Sequence, residues 1–212
     1  MKKTSKALLL MLCAVLLVAA SVLGTMAYLT STDAVTNTFT VGNVKITLDE
    51  KDVDNSTADA DRDKANSYKL LPGHTYTKDP TIHVDASSED CYLFVKVVNE
   101  IAAIEGGKTV ATQMTEKGWV AVAGTTGVYV YTTDNANPAA VSASRNIAVF
   151  DNFTIDGTKV VNVPTGGTTP TGKLNIADYD GKTITVTAYA IQKDGFESKT
   201  ASEIWTASGF GA

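Results

Sequence analysis

The segment TITVTAYAI, residues 183–191, alternates apolar side chains with polar or aromatic ones along its whole length. Ile184, Val186, Ala188 and Ala190 share one side, whereas three threonines and a tyrosine occupy the other. Because successive side chains of a β-strand point to opposite faces, this period of two predicts a strand with one buried face. The segment therefore favours a sheet that covers a core on one side.

Further segments extend the β pattern along the chain. CYLFVKVVN, residues 91–99, is the most apolar of them and is expected at the centre of a sheet. One hairpin is predicted between residues 119–123 and 127–132, and a second hairpin is predicted to turn at Asp156-Gly157.

The other segments complete an all-β prediction. VKITL, residues 44–48, alternates like a half-buried strand, and Pro80 divides TYTKDPTIHVD into an edge strand or two short strands. Residues 101–117 fit a short helix or a loop, and SKTASEIWTA has helical spacing with Ser198 as its N-cap. About eight short strands and one or two short helices predict an antiparallel β-sandwich.

Composition narrows the class of protein. The chain has 212 residues, a formal net charge of −5, two cysteines and two histidines. An acidic balance argues against nucleic acid as a partner, since nucleic-acid binders normally present a basic face. Two cysteines cannot build a disulfide-dense scaffold.

Residues 1–27 differ from the rest of the chain. Three lysines stand near the start, and a largely apolar run then extends over residues 7–27. A basic start, an apolar run and a small residue at its end are typical of a secretory signal peptide. The alternative is a transmembrane anchor, because this run is just long enough to span a bilayer. We expect cleavage between Ala27 and Tyr28, with residues 28–212 as the exported domain and membrane contact only through the uncleaved signal peptide.

The segment 49–67 is polar and acidic and shows no period, which predicts an exposed loop. Its aspartates stand at alternate positions, as calcium ligands do, but the glycine and the final glutamate of a calcium loop are missing. We expect a solvated loop without a bound metal. The calcium candidates are Asp52, Asp54, Asp59, Asp61 and Asp63.

No catalytic motif is present in the sequence. His74 and His83 do not belong to a His-Glu-x-x-His zinc motif, and Gly-x-Ser-x-Gly and phosphate-binding glycine loops are also missing. Cys13 would leave with the signal peptide, and Cys91 opens an apolar strand, where a small buried side chain is expected. We therefore expect no catalytic residue, no enzyme activity and no cofactor.

Three motifs occur in one order along the chain. A small residue precedes an aromatic residue and a Phe-x-x-Gly strand, a Leu-x-Pro-Gly-x-x-x-x-Lys motif follows, and a Tyr-containing strand leads to a Trp-containing end. Together they resemble the TasA/camelysin family, which is exported by the SipW type of signal peptidase. Residues 100–180 carry none of these motifs. The matching positions are Ala27, Tyr28, Phe39, Gly42, Leu70, Pro72, Gly73, Lys78, Tyr189, Gln192 and Trp205.

The resemblance implies a secreted, jelly-roll-like β-sandwich that assembles into fibres of the extracellular biofilm matrix. Its implied partners are further copies of itself, a SipW-type signal peptidase during export and, as a further candidate, an accessory matrix protein. Some family members are described as camelysin metallopeptidases, but the zinc motif of such enzymes is missing here. A cell-surface adhesin or ligand-binding sandwich is the alternative function, and a metallopeptidase is the third.

The Thr-rich residues 28–38 suggest how a fibre would form. They favour an extended strand, and after cleavage they would be joined to the domain only at their far end. We predict that this arm adds as a strand to the next subunit, which would give an open filament. The alternative is that the arm pairs within its own sandwich or stays disordered.

Overall fold

A computed structural model describes residues 3–29, 42–56, 61–164 and 166–210. The chain divides into two compact units, Met1–Thr40 and Val41–Ala212. In the first unit, helix α1 spans Lys3–Leu29 and so includes Ala27 and Tyr28. Within the described residues, no helix is both long enough and apolar enough to cross a bilayer.

The second unit is mainly β, which confirms the predicted fold class at that level. Short helices interrupt the strands, namely α2 (Val110–Glu116), α3 (Ala201–Ser208) and the 3₁₀ turns Ala102–Ile104 and Ile176–Tyr179. The strands are β1 (Ile46–Lys51), β2 (Arg62–Asp63), β3 (Thr75–Thr77), β4 (Thr81–Val84), β5 (Cys91–Asn99), β6 (Trp119–Ala121), β7 (Val128–Tyr131), β8 (Ala140–Val141), β9 (Asn146–Ala148), β10 (Asn152–Thr154), β11 (Val160–Val161), β12 (Leu174–Asn175) and β13 (Ile184–Gln192).

Two antiparallel sheets dominate the unit. The first has the strand order β2-β1-β4-β9, and the second has the order β13-β5-β7-β6, with β8 also paired to β5. A two-stranded antiparallel pair joins β10 to β3, and a parallel pair joins β11 to β12. The predicted central position of residues 91–99 is confirmed, since β5 lies between β13 and β7.

Both large sheets contribute to one hydrophobic core. Ile82 of β4 and Ile147 of β9 belong to the same buried cluster as Leu93 and Val95 of β5 and Trp119 of β6. Alternate residues of β5 face this core, which agrees with the period of two expected for a strand.

The other face of the second sheet is covered by α3. Phe94 of β5 and Val130 of β7 form a second buried cluster with Ile204 and Trp205 of α3. Since both faces of β5 are covered near its start, all five residues from Cys91 to Val95 are buried, and its alternation is visible only further along. This arrangement explains why residues 91–99 are so apolar.

The predicted cap of the last helix was wrong. Helix α3 begins after Thr200, not near Ser198, because the Thr200 side chain accepts a hydrogen bond from the Glu203 N–H and the Glu203 carboxylate bonds back to Thr200. This reciprocal capping box satisfies the main-chain N–H groups of Thr200 and Glu203 at the helix start. The predicted helical spacing is confirmed, since Trp205 belongs to the second cluster and Ala201, four residues before it, packs against the same cluster.

The predicted hairpin at Asp156-Gly157 was also wrong. Strand β10 before this turn pairs with β3, whereas β11 after it pairs in parallel with β12. A Cβ atom on Gly157 would lie 3.1 Å from the Gly73 nitrogen, so the turn packs closely against another loop. The local turn signal was correct, but contacts far along the chain decide which strands pair.

Two segments were only partly predicted. Pro80 does separate two short strands, β3 and β4, and these belong to different sheets. Strand β4 lies between β1 and β9, so it is not an edge strand. The segment 49–67, expected to be a loop, includes the end of β1 at Lys51 and the short strand β2.

A side-chain hydrogen bond links the two large sheets between their edge strands β6 and β9. The Trp119 indole N–H of β6 donates to the Ala148 carbonyl of β9 over 2.9 Å. These are the outer strands of the two sheets, and Trp119 itself is fully buried. The two sheets are therefore joined along the β6–β9 side.

Replacing Trp119 with phenylalanine is expected to lower the free energy of unfolding by about 1–3 kcal/mol, because the Ala148 carbonyl loses its donor in a buried setting. The corresponding drop in melting temperature is about 2–4 °C per kcal/mol for a domain of this size. Urea unfolding measures the effect. Trp205→Phe is the matched control, since no described residue accepts a hydrogen bond from the Trp205 indole. An equal decrease in the free energy of unfolding in both variants would contradict the role of the Trp119 hydrogen bond.

Candidate functional site

The outer edge of β13 is available for pairing. Hydrogen bonds join the Glu100 N–H to the Thr183 carbonyl (3.0 Å) and the Lys193 N–H to the Asp90 carbonyl (2.8 Å). In an antiparallel ladder, such pairs alternate with residues whose main-chain groups point away from the partner strand. The even-numbered residues of β13 therefore direct their N–H and C=O groups away from β5, and no described strand pairs with them.

The facing edge of β1 is open in the same way. The Asp85 N–H donates to the Lys45 carbonyl over 3.0 Å, which places odd-numbered residues of β1 in the ladder with β4. The main-chain groups of Ile46 and Leu48 consequently point to the other side. Strand β2 occupies that side only at Glu50 and Lys51.

A groove of about 1120 Å³ contacts both open edges. Its walls include inward-facing apolar side chains of β1 and β13. These side chains pack on the main core, but each is only half-buried because the groove exposes its other side. The groove is thus an exposed extension of the core, bordered by main-chain donors and acceptors that no described strand pairs with. Its apolar lining includes Ile46, Leu48, Tyr68, Leu70, Phe153, Ile176, Ile184, Val186 and Ala188.

One ion pair also lines this apolar groove. The Lys78 ammonium group lies 2.7 Å and 3.0 Å from the two carboxylate oxygens of Glu50. The exposed fractions of the two side chains are only 11% and 5%. Glu50 continues the inward series of Ile46 and Leu48 on β1, which explains why a carboxylate lies below the surface here. Lys78 is the lysine of the Leu-x-Pro-Gly-x-x-x-x-Lys motif.

A second polar network holds β2 beside the groove. The Arg62 guanidinium bonds to the carboxylates of Asp49 and Asp79, with a distance of 3.0 Å to Asp79. Burial raises the pKa of Asp49, but hydrogen bonds from Arg62 and His83 outweigh that effect and hold its pKa below the ordinary value. His83 bonds through Nε2 to Asp49 and through Nδ1 to Asn146, so both ring nitrogens already have partners.

An aromatic cluster shapes the turn of the Pro-Gly motif. The Tyr76 hydroxyl donates to the Lys69 carbonyl (2.6 Å) and accepts from the Leu71 N–H (2.7 Å). The Tyr76 ring stacks on Phe153 with 5.0 Å between centroids. Gly73 has φ +77°, a conformation that favours glycine, and its N–H donates to the Ile155 carbonyl over 2.9 Å. The motif therefore builds one border of the groove, with Leu70 as a lining residue.

The structure brings three calcium candidates together. One carboxylate oxygen from each of Asp52, Asp54 and Asp63 lies within 4.8 Å of the others. Loop donors bond to these side chains, including the Ser67 N–H to Asp54 (2.6 Å) and the Ser56 hydroxyl to Asp63 (2.8 Å). The Ser67 bond contributes most to lowering the pKa of Asp54, and hydrogen bonding from Ser56 lowers it further.

Among the described candidates, Asp61 does not join this group of carboxylates. Asp61 accepts a hydrogen bond from the Asp52 N–H through its main-chain carbonyl, and Asp59 lies outside the described residues. Loop donors hold neighbouring carboxylates of this group in place, the Ser67 N–H at Asp54 and the Ser56 hydroxyl at Asp63.

The remaining motif residues lie in two places. Tyr189 and Trp205 contact each other edge to face with 5.2 Å between centroids, on the face of the sheet that α3 covers. Gln192 ends β13 and is exposed, and Gly42 is exposed ahead of β1. Phe39 lies outside the described residues.

Cys91 is fully buried, and burial raises the pKa of its thiol to about 11. At neutral pH the thiol is therefore protonated, and a thiolate rather than a thiol is the reactive form. This agrees with the expected role of Cys91 as a packed side chain.

Comparisons with protein-family models, with curated proteins and with solved structures find no match. The site must therefore be interpreted from its own geometry. Sequence reasoning missed Glu50 and Arg62, although the position of Glu50 in the inward series of β1 was a signal that this carboxylate faces the core.

Proposed function

We propose that this protein is a secreted structural subunit that polymerises when the groove between β1 and β13 accepts an extended segment of another copy. The observation that carries the proposal is a pair of strand edges, uncovered by any described strand, beside an exposed groove with apolar walls. A strand added there would bond through its main chain to either edge and would bury its apolar side chains on the core. Within the described residues of one copy, no strand supplies either source of stability.

The segment proposed to fill the groove is the N-terminal arm, residues 28–38, with the residues that follow it. Residues 30–41 lie outside the described part of the chain, and their sequence has a strand pattern. Val35, Asn37, Phe39 and Val41 alternate with threonines. This pattern suits a strand with one apolar and one polar face, and β-branched threonines favour extended backbone.

An arm that enters the groove of another copy generates a chain of subunits. Donor segment and acceptor groove are different surfaces of one molecule, so the contact is head-to-tail and gives an open filament unless its rotation closes a ring. The two sides of the domain differ. On the β6–β9 side the Trp119 hydrogen bond joins the two sheets, whereas the groove lies on the β1–β13 side. This difference supports a contact between unlike surfaces. One groove and one arm per subunit provide one contact in each direction.

The resemblance to the TasA/camelysin family supports the same proposal. It suggests a jelly-roll-like arrangement of the two sheets, export through a SipW-type signal peptidase and a location in the extracellular biofilm matrix. The motif residues Leu70 and Lys78 line the groove, which connects the resemblance to the acceptor site. Export cleavage before Tyr28 would release the arm.

Electron microscopy of the polypeptide Tyr28–Ala212 at near-neutral pH tests the proposal. We expect fibres one subunit wide, together with loss of monomer from the supernatant after sedimentation. The uncleaved chain, Met1–Ala212 in detergent, is the matched control and is expected to stay unpolymerised, since its arm is still joined to the signal peptide. A stable monomer of Tyr28–Ala212 at all concentrations would reject the proposal.

A further inference from the structure

We infer that the Lys78–Glu50 ion pair sets the register of the strand that fills the groove, by requiring a neutral polar side chain opposite it. The inference rests on the proposed function and concerns the chemistry that the groove recognises. It starts from the position of the pair, which lines the groove together with the inward-facing apolar side chains of β1 and β13. An apolar strip alone would accept a strand in several registers, because any alternating sequence would fit it.

The ammonium group of Lys78 has one donor left for a ligand. A lysine ammonium carries three N–H donors, and Glu50 accepts two hydrogen bonds from it. No further partner of this group is found in the described part of the chain. With 11% of the Lys78 side chain exposed, the group still reaches the groove, where water can satisfy the third donor.

Filling the groove removes that water. A charged group that loses water without gaining a hydrogen bond is strongly unfavourable, and a nearly buried ion pair gains little from further burial unless its remaining donors are satisfied. A strand with only apolar side chains over the pair is therefore disfavoured. A strand with a neutral oxygen acceptor at this point is favoured, whereas a further carboxylate would compete with Glu50 and repel it.

The arm offers one such group on its apolar side. Val35, Asn37 and Phe39 share that side, and Asn37 is the amide between the two apolar residues. We therefore place the Asn37 carbonyl oxygen opposite the Lys78 ammonium group in the assembled state, with Val35 and Phe39 on the apolar surfaces before and after it. This polar contact distinguishes the native register from shifts by two residues, which would put Val35 or Phe39 over the charge.

The test compares arm variants of Tyr28–Ala212 by their critical concentration for assembly. Asn37→Leu is expected to raise it about tenfold or more, because an unsatisfied charged donor costs at least about 1.4 kcal/mol. Thr38→Leu is the matched control, since the neighbouring side chain points to the other face, and it is expected to stay within about threefold of the unsubstituted protein. Circular dichroism and the melting temperature of the monomer verify that the domain is unchanged.

A rescue variant separates recognition from general damage to the arm. The double substitution Glu50→Leu with Lys78→Met replaces the ion pair by apolar groups of similar size, a change that is often tolerated in a protein interior. Combined with Asn37→Leu, it is expected to restore assembly to near the original critical concentration. A melting temperature within a few degrees of the parent confirms that the rescued receptor is folded.

The outcomes distinguish the two proposals. If Tyr28–Ala212 forms fibres but Asn37→Leu assembles as well as Thr38→Leu, the register inference is overturned and the proposed function stands. Failure of the folded triple variant to recover also overturns the inference. If the unsubstituted protein forms no fibres at all, the proposed function fails and the inference fails with it.

Discussion

Replacing Ala188 with proline is expected to abolish fibre growth while the domain stays folded. Ala188 directs its N–H away from β5, so proline removes no hydrogen bond of the sheet, and proline is tolerated on such edges. On the outer side, the proline ring replaces the donor with a carbon where an added strand would pair. We expect sedimentation to recover less than 1% of the normal fibre mass. A hundredfold decrease corresponds to a loss of about 3 kcal/mol in the free energy of each contact between subunits.

Two neighbouring substitutions provide the controls. Ala188→Val retains the N–H and is expected to allow growth. Thr187→Pro removes a donor from the ladder with β5 and is expected to lower the melting temperature strongly. The two proline variants thus distinguish the inner edge of β13, which stabilises the domain, from its outer edge. Fibres of normal yield from Ala188→Pro would show that growth does not use this edge.

Replacing residues 28–38 with a glycine-serine segment of the same length is expected to give a folded monomer that cannot polymerise. The replacement removes the threonines and Val35 of this segment, whereas Phe39, the described strands and the groove are unchanged. The measurement is electron microscopy together with analytical ultracentrifugation. The melting temperature is expected to match that of the unassembled parent, because no described residue of the second unit is altered.

Mixing gives a more specific result for the same variant. A subunit without a functional arm still has a groove, so it accepts the arm of a normal subunit but offers none to the next. Added in small amounts, it is expected to shorten fibres in proportion to its share of the mixture. A variant that also carries Ala188→Pro lacks both functions and is the control that should not shorten them. Unchanged fibre lengths with the arm variant alone would contradict head-to-tail growth.

Periodicity predicted the two longest strands closely. Residues 91–99 and 183–191 were expected as strands, and the structure places them at Cys91–Asn99 and Ile184–Gln192 as direct neighbours. Alternation over nine residues is a strong local signal, since it reflects which side chains can face a core. The short strands β2, β8 and β12 were missed, because two residues are too few to show a period.

Prediction of the site was less complete. The Leu-x-Pro-Gly-x-x-x-x-Lys motif pointed to Leu70 and Lys78, which do line the groove, but nothing in the motif indicated the partner of the lysine. Glu50 lies 28 positions before Lys78 and lay within a segment expected to be a solvated loop. Its burial follows from the extension of β1 to Lys51 and from the pairing of β1 with β2.

The sequence by itself determined that this is a mainly β domain after an apolar N-terminal segment, and it determined that the alternate apolar residues of β13 face the main core. These properties are local, because they depend on side-chain period and composition over about ten residues. The tertiary structure alone decided which strands are neighbours, that the β6–β9 side is joined by Trp119, and that β1 and β13 have open edges beside a groove. Strand edges are paired or left open by contacts between residues far apart in the chain, and no local period records them.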